Sequence, residues 1–296
     1  MYSNCKLCGF GCGINRNDNF GKCKCGVLPK LALVSRHYWE EPCISGDKGS
    51  GTIFFSGCNF SCIFCQNYEI SQEGYGKEVS VERLAEIFLE QQDRGVHNIN
   101  LVSPTPYVPS IIEAIKIAKE KGLELPLVYN TNGYETVETI KMLDGYIDIY
   151  LPDLKYYDDE LAIKYSGVPN YFKVASQAIL EMQRQVGMAQ FDENGIMKKG
   201  LIIRHLIMPG SVLQTKKILN WIKDNLPDQV YISIMAQYFP TYKAKEDNII
   251  NRKISKSEYE VVLDLISRFE NGYIQELGEH EEEYVPKFDL SGIDKE

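Results

Sequence analysis

Three cysteines within eight residues, Cys58, Cys62 and Cys65, give this sequence its plainest capacity for chemistry. They stand in Phe54-Phe55-Ser56-Gly57-Cys58-Asn59-Phe60-Ser61-Cys62-Ile63-Phe64-Cys65-Gln66-Asn67, a C-x3-C-x2-C spacing whose Gly, Asn and Ser residues read as a loop. Soft thiolates suit iron, and three this close can cap three corners of one iron–sulfur cubane. The fourth iron then has no local cysteine and stays open to a ligand from outside the chain. An open position separates a catalytic metal centre from a closed structural one. The competing readings are zinc closed by Cys43, or three inert buried cysteines.

Five more thiols lie upstream in Cys5-x2-Cys8-x3-Cys12 and Cys23-x-Cys25. Any four could hold zinc or a second iron–sulfur centre, or the segment could carry no metal. All nine cysteines fall between Cys5 and Cys65, and nine is an odd number for a fully paired chain. Clustered thiols of this kind read as metal ligands in a reducing compartment rather than as a disulfide scaffold.

These groups need a scaffold, and the rest of the sequence reads as one. With 44% hydrophobic and 25% charged residues, a chain of 296 residues can bury a sizeable core. The formal net charge of −9 speaks against a nucleic-acid partner. No apolar run is long enough to span a bilayer, and Met1-Tyr2-Ser3-Asn4-Cys5 leads into no signal-like stretch, so no membrane association and a cytoplasmic location are expected. Residues 1–45 read as a cysteine-rich N-terminal segment, with 31–50 a polar connector, 46–280 as the main domain, and 281–296 as an acidic tail that frays.

From residue 52 onward the pattern alternates. Short strands are expected at 52–55, 98–102, 125–129, 146–151, 201–208 and 230–236, with further short strands at 170–175 and 273–277. Helices are expected at 81–94, 109–121, 134–143, 158–165, 177–186, 213–225 and 256–270. Such alternation predicts an α/β fold with a parallel sheet and crossover helices, closer to an incomplete eight-unit barrel than to a full one, with a doubly wound sheet as competitor. Ser103, Thr105, Asn130, Asn132, Asp153, Lys155, His205 and Gln237 gather just past strand ends, the edge where parallel α/β folds build their sites.

A short apolar strand followed by C-x3-C-x2-C resembles the signature of the radical S-adenosylmethionine superfamily. Trp39-Glu40-Glu41-Pro42-Cys43-Ile44-Ser45-Gly46, Gly51-Thr52-Ile53-Phe54-Phe55-Ser56-Gly57-Cys58 and Cys65-Gln66-Asn67 are similar to uncharacterised homologs of pyruvate formate-lyase activating enzyme. The resemblance implies a partial (β/α)6 TIM-like barrel and a [4Fe-4S] cluster whose unique iron is chelated by the methionyl N and O of S-adenosylmethionine. It implies one-electron cleavage to methionine and a 5′-deoxyadenosyl radical that abstracts hydrogen, an electron donor such as flavodoxin or ferredoxin, and a protein substrate such as a glycine of a partner glycyl-radical enzyme. A small molecule or another macromolecular modification site is the alternative substrate.

The resemblance also assigns expectations to single residues. Where activating enzymes carry Gly-Gly-Glu, this chain reads Ser103-Pro104-Thr105, so the Ser103 and Thr105 hydroxyls are the candidates to meet the methionyl ammonium. Asn130 and Asn132 are candidates for ribose or carboxylate oxygens. Asp153 and Lys155 are candidates for positioning and charge balance, and Arg204 is a bidentate carboxylate partner. His205 is either a cofactor donor or a satisfied core histidine. Phe60 and Phe64 flank adenine and cluster, or are plain core.

Overall fold

The computed structural model describes residues 2–278 and 286–295. The chain enters the sheet with β1 (Lys30–His37), turns through α1 (Pro42–Ser45) and returns as β2 (Ser50–Phe55). After the cysteine loop, α2 (Tyr68–Ser71) and β3 (Lys77–Glu78) lead into α3 (Val81–Asp93). Alternation then follows: β4 (Ile99–Val102), α4 (Val108–Glu120), β5 (Leu127–Thr131), α5 (Val137–Met142), β6 (Ile149–Pro152), α6 (Asp159–Ser166) and α7 (Tyr171–Val186). It ends with β7 (Gln190–Phe191), β8 (Met197–Leu206), α8 (Val212–Asn225), β9 (Tyr231–Met235), α9 (Lys256–Ile266) and β10 (Asn271–Ile274).

The sheet order is β10-β9-β8-β6-β5-β4-β2-β1-β3, with β7 beside β8. Every pairing from β10 to β2 along that path is parallel, while β1 is antiparallel to β2, and β3 to β1. The ends of the path do not bond to each other among the described residues, so this mostly parallel sheet is open. Strand β2 is buried along its whole length, as a parallel strand covered on both faces should be. The helices take their ends from local signals. Ser80 accepts from the Arg83 N–H to start α3, and Ser255 forms a capping box with Glu258 at α9. No helix among the described residues is long and apolar enough to cross a membrane.

Three local expectations fail for identifiable reasons. Residues 170–175, with their aromatic and β-branched character, belong to helix α7. Tyr171, Ala175, Ala178, Ile179, Met182 and Val186 recur at helical spacing and are buried, and Asp159 accepts the N–H groups of Asn170 and Tyr171 at 2.9 and 3.0 Å. The first part of the expected 31–50 connector is strand β1, because Leu31, Ala32, Leu33 and Val34 form a continuous buried run. The tail, expected to fray, docks over residues 286–295: Val34 N donates to Ser291 O at 2.9 Å, Leu290 N to Ala32 O at 3.1 Å, and Ile293 is buried. Residues 279–285 and 296 of that tail lie outside the described residues.

The part of the cysteine-rich segment before β1, residues 2–29, has almost no regular structure, only a 3-10 turn at Tyr2–Asn4 and an isolated bridge between Cys8 and Glu135. It sits against the C-terminal edge of the sheet near the cysteine loop, since Gly9 N donates to Tyr134 O at 3.0 Å and Thr136 N to Leu7 O at 3.2 Å.

Candidate functional site

The loop after β2 begins at Gly57, whose φ of +90° suits glycine. Gly57 N bonds Ile70 O at 2.8 Å, Ser61 N bonds Ser166 O at 2.9 Å, and Ile63 N bonds Tyr165 O at 2.9 Å. The loop is therefore tied to α2 on one side and to α6 on the other, which fixes where its thiols stand. Cys58 Sγ receives the Phe60 N–H at 3.4 Å and Asn132 Nδ2 at 3.6 Å. Cys62 Sγ meets Ser166 Oγ at 3.0 Å, and Cys65 Sγ meets Ser71 Oγ at 3.2 Å. Burial and the charge of Cys65 push the Cys62 thiol up to about 12, and burial raises Cys58 and Cys65 as well. A bound cationic metal reverses that balance and takes the thiolates.

A cavity of about 250 Å³ opens beside this loop. Cys62, Phe64 and Cys65 line one side, while Asn130, Asp153, Lys155 and Arg204 line another. Each polar group arrives from the C-terminal end of a parallel strand, Asn130 from β5, Asp153 and Lys155 just past β6, and Arg204 from β8. They are locked together. Arg204 Nε donates to Asp153 Oδ1 at 2.9 Å and its Nη2 to Asn130 Oδ1 at 2.6 Å, while Lys155 Nζ donates to Asp153 Oδ2 at 2.5 Å. Burial opposes the Arg204 charge, but Asp153, Glu41 and Glu40 outweigh it and hold the guanidinium firmly protonated. Burial alone would raise Asp153; Arg204 and Lys155 bring it below the usual carboxylate range.

The same network contains residues that strand-end reasoning missed. Glu40 Oε2 accepts from Arg204 Nη1 at 3.2 Å, and its Oε1 accepts from Asn100 Nδ2 at 3.0 Å and Asn130 Nδ2 at 3.3 Å. Glu40 and Trp39 both line the cavity, yet they come from the connector after β1. Adjacent carboxylates wedged between Trp39 and Pro42 were the available signal, and only tertiary structure brings them under Arg204. Gln66, Asn67, Gln237, Tyr238 and Phe239 complete much of the wall.

Other expected residues stand elsewhere. Thr105 is buried with its hydroxyl on Glu135 Oε1 at 2.5 Å, a carboxylate oxygen that also receives Thr131 Oγ1 at 2.5 Å. Ser103, at a φ of +59°, does not line the cavity. His205 is fully satisfied in the core: Nδ1 meets Leu154 O at 2.7 Å and Nε2 meets Thr215 Oγ1 at 2.9 Å. Burial lowers its imidazole to about 4. Asn132 reaches the site through Cys58 and through Asn59 Oδ1, at 2.7 Å. Phe60 packs edge-on against Tyr134 and Tyr171, whereas Phe64 faces the cavity.

Among the described residues no three His, Cys, Asp or Glu side chains converge on a single metal ion. Cys43 does not close the triad, since it packs in a separate buried cluster with Ile44, Val128 and Ile149. His37 lines the cavity but pairs with Ser50, at the opposite end of β2 from the cysteine loop. Three thiols on one loop, with Cys43 packed elsewhere, are the donor chemistry that would suit a three-thiolate cluster.

The comparisons agree with that chemistry. The profile of the Radical SAM superfamily matches residues 52–222. An uncharacterized protein of Methanocaldococcus jannaschii is 33% identical over 283 residues, covering 91% of this chain and 76% of its own. The pyruvate formate-lyase-activating enzyme of Clostridium pasteurianum is 24% identical over 180 residues, covering 58% of this chain and 68% of its own. Among solved structures, SuiB of Streptococcus suis bound to the precursor peptide SuiA aligns with a TM-score of 0.50 at 20% identity, over 77% of this chain. The chain spans about half the length of that structure, 48%. The open parallel sheet is accordingly a partial barrel, and the chain belongs to the radical SAM superfamily.

Proposed function

We propose that this protein is a radical SAM oxidoreductase of the activating-enzyme type, which abstracts hydrogen from a backbone glycine of a partner protein. The observation that carries the proposal is the joining, on one cavity, of Cys62 and Cys65 with the Asn130–Asp153–Lys155–Arg204 network. With a [4Fe-4S] cluster and S-adenosylmethionine bound there, the site would supply one-electron reductive cleavage of the sulfonium C–S bond, the electron coming from an external low-potential donor. Cys58, Cys62 and Cys65 hold the cluster. Arg204 and Lys155 offer positive charge to the methionyl carboxylate, and Asn130 offers amide groups to the ribose. Phe64 and Tyr238, with ring centroids 6.0 Å apart, cover the apolar side and keep water from the reacting carbon.

A macromolecular substrate is favoured by a second cavity of about 760 Å³, which shares Trp39, Glu40, Arg204, Met235 and Gln237 with the first. It lies between the connector after β1 and β10, where the sheet is open. A backbone loop needs such a lateral approach to bring one Cα beside a buried cofactor. The named activity of the clostridial relative points the same way.

Anaerobic reconstitution with S-adenosylmethionine and a reductant tests the chemistry. Release of 5′-deoxyadenosine is expected from the wild-type protein, and its loss from Cys62→Ala along with a share of the iron–sulfur absorbance. A fully reconstituted protein that releases none, with substrate supplied, would defeat the reading. Deuterium transferred to 5′-deoxyadenosine from a glycine-labelled partner protein identifies the substrate class. Transfer only from a small molecule would replace the glycyl assignment.

A further inference from the structure

The N-terminal cysteines do not line the cavity, yet two buried polar groups, Arg16 and Asn59, stand beside them. Arg16 is 2% exposed. Its guanidinium donates to the carbonyls of Cys25, Gly26 and Pro106, and the negative-going groups that act on it are Cys23, Tyr2, Cys25 and Cys5. No carboxylate balances it in that set, and a buried cation without a counter-charge is costly. Asn59 is also 2% exposed. Its Oδ1 takes the Asn132 amide, while its buried Nδ2 finds no oxygen or nitrogen acceptor and is left with the Cys8 sulfur. Arg16 faces Cys5, Cys23 and Cys25, while Asn59 faces Cys8, which is itself within electrostatic reach of Cys12 and Cys23.

The thiols form a connected set. Cys8 is within electrostatic reach of Cys12 and Cys23, and Cys23 and Cys25 interact directly, with Cys25 Sγ donating to Cys23 O at 3.0 Å. All are free cysteines. The segment that carries them, from Tyr2 to Pro29, buries few apolar groups beyond Cys5, Leu7 and Cys25, so packing gives it little reason to hold its shape.

We propose that Cys8, Cys12, Cys23 and Cys25 hold a second iron–sulfur cluster, which hands electrons to the first through the Asn59 contact. An anionic thiolate-bound cluster supplies the counter-charge for Arg16 and a sulfur acceptor for Asn59 Nδ2. Its route onward is short. Asn59 is the chain neighbour of Cys58, Asn132 bridges the Asn59 and Cys58 side chains, and Cys25 Sγ lies 3.9 Å from Ser56 O and against Gly57. In each transfer one electron from a low-potential one-electron carrier protein reduces the second cluster, which is reoxidised as the first is reduced. The destination of the electron rests on the radical SAM reading; the presence of the second cluster does not.

The full-length protein, reconstituted anaerobically with iron and sulfide, separates the two centres. The triple variant Cys58→Ala/Cys62→Ala/Cys65→Ala, in which the N-terminal segment is untouched, is expected to keep about half of the wild-type iron and acid-labile sulfide. Cys8→Ala/Cys23→Ala is expected to lose a comparable share. It should still release 5′-deoxyadenosine with dithionite, but about tenfold or more slowly when a reduced ferredoxin or flavodoxin is the donor. Cys43→Ala should keep all of its iron. A triple variant that carries no iron, or carries zinc instead, overturns the second cluster. Equal slowing of Cys8→Ala/Cys23→Ala with both donors overturns its electron-transfer role. A triple variant with the full wild-type iron content would instead indict the first centre.

Discussion

At the scale of single residues, the site is governed by what happens to charge when water is removed. Arg204 keeps its charge because three carboxylates surround it, whereas His205, its immediate neighbour in β8, loses the ability to hold one. The two point to opposite faces of the strand, as successive residues must. An unfolded chain protonates this imidazole near pH 6.5 and the folded one only at about 4, so between these values the unfolded state binds the extra proton. Stability conferred by neutral His205 is therefore complete above about pH 6.5, falls as pH falls, and is gone below about 4, a loss of about 3 kcal/mol. Glu40 and Glu135, which burial raises, act in the opposite sense over part of the acid range. The imidazole contribution is read as the difference in slope between wild type and His205→Gln in urea unfolding from pH 7 to 4. Identical slopes would show that His205 does not stay neutral in the folded protein.

At the scale of elements, the junction between β2 and the cysteine loop sets the geometry of everything after it. Gly57 combines a φ of +90° with a missing Cβ whose place is crowded by Cys25 Sγ. Gly57→Ala is expected to cost about 1–3 kcal/mol in denaturant unfolding, the scale of local backbone strain, and to lower the iron bound per folded chain. Unchanged stability and iron content would mean that the junction has room to relax. The element pattern was largely legible, because the helices carry regular apolar stripes and the parallel strands carry continuous apolar runs. It failed at Tyr171–Ala175, where residues of high β-propensity lie on a helix face that packs against the core. It failed again at Leu31–Val34, which carries no alternation because both faces are covered.

At the scale of the whole molecule, the open edges of the sheet explain both the lateral cavity and the behaviour of the tail. Residues 286–295 return from beyond β10 to lie against β1, with Lys77 and Asp294 paired at 2.6 Å and Phe288 edge-on to Phe54. Ile293, 1% exposed, anchors this return. Ile293→Ala is expected to cost about 2–4 kcal/mol, measured by thermal or denaturant unfolding. A loss below about 1 kcal/mol would mean that the return contributes little to the fold. The sequence by itself determined the thiol triad, the alternation that builds a parallel sheet, and most of the polar residues at its C-terminal edge. Those signals are local: three ligands on one short loop, and periodicity within single elements. Only the tertiary structure decided that Glu40 would reach Arg204, that Thr105 would turn to Glu135, and that His205 would be a core residue. Each of those outcomes depends on which buried polar group finds a partner across the fold, and spacing along the chain carries no record of that.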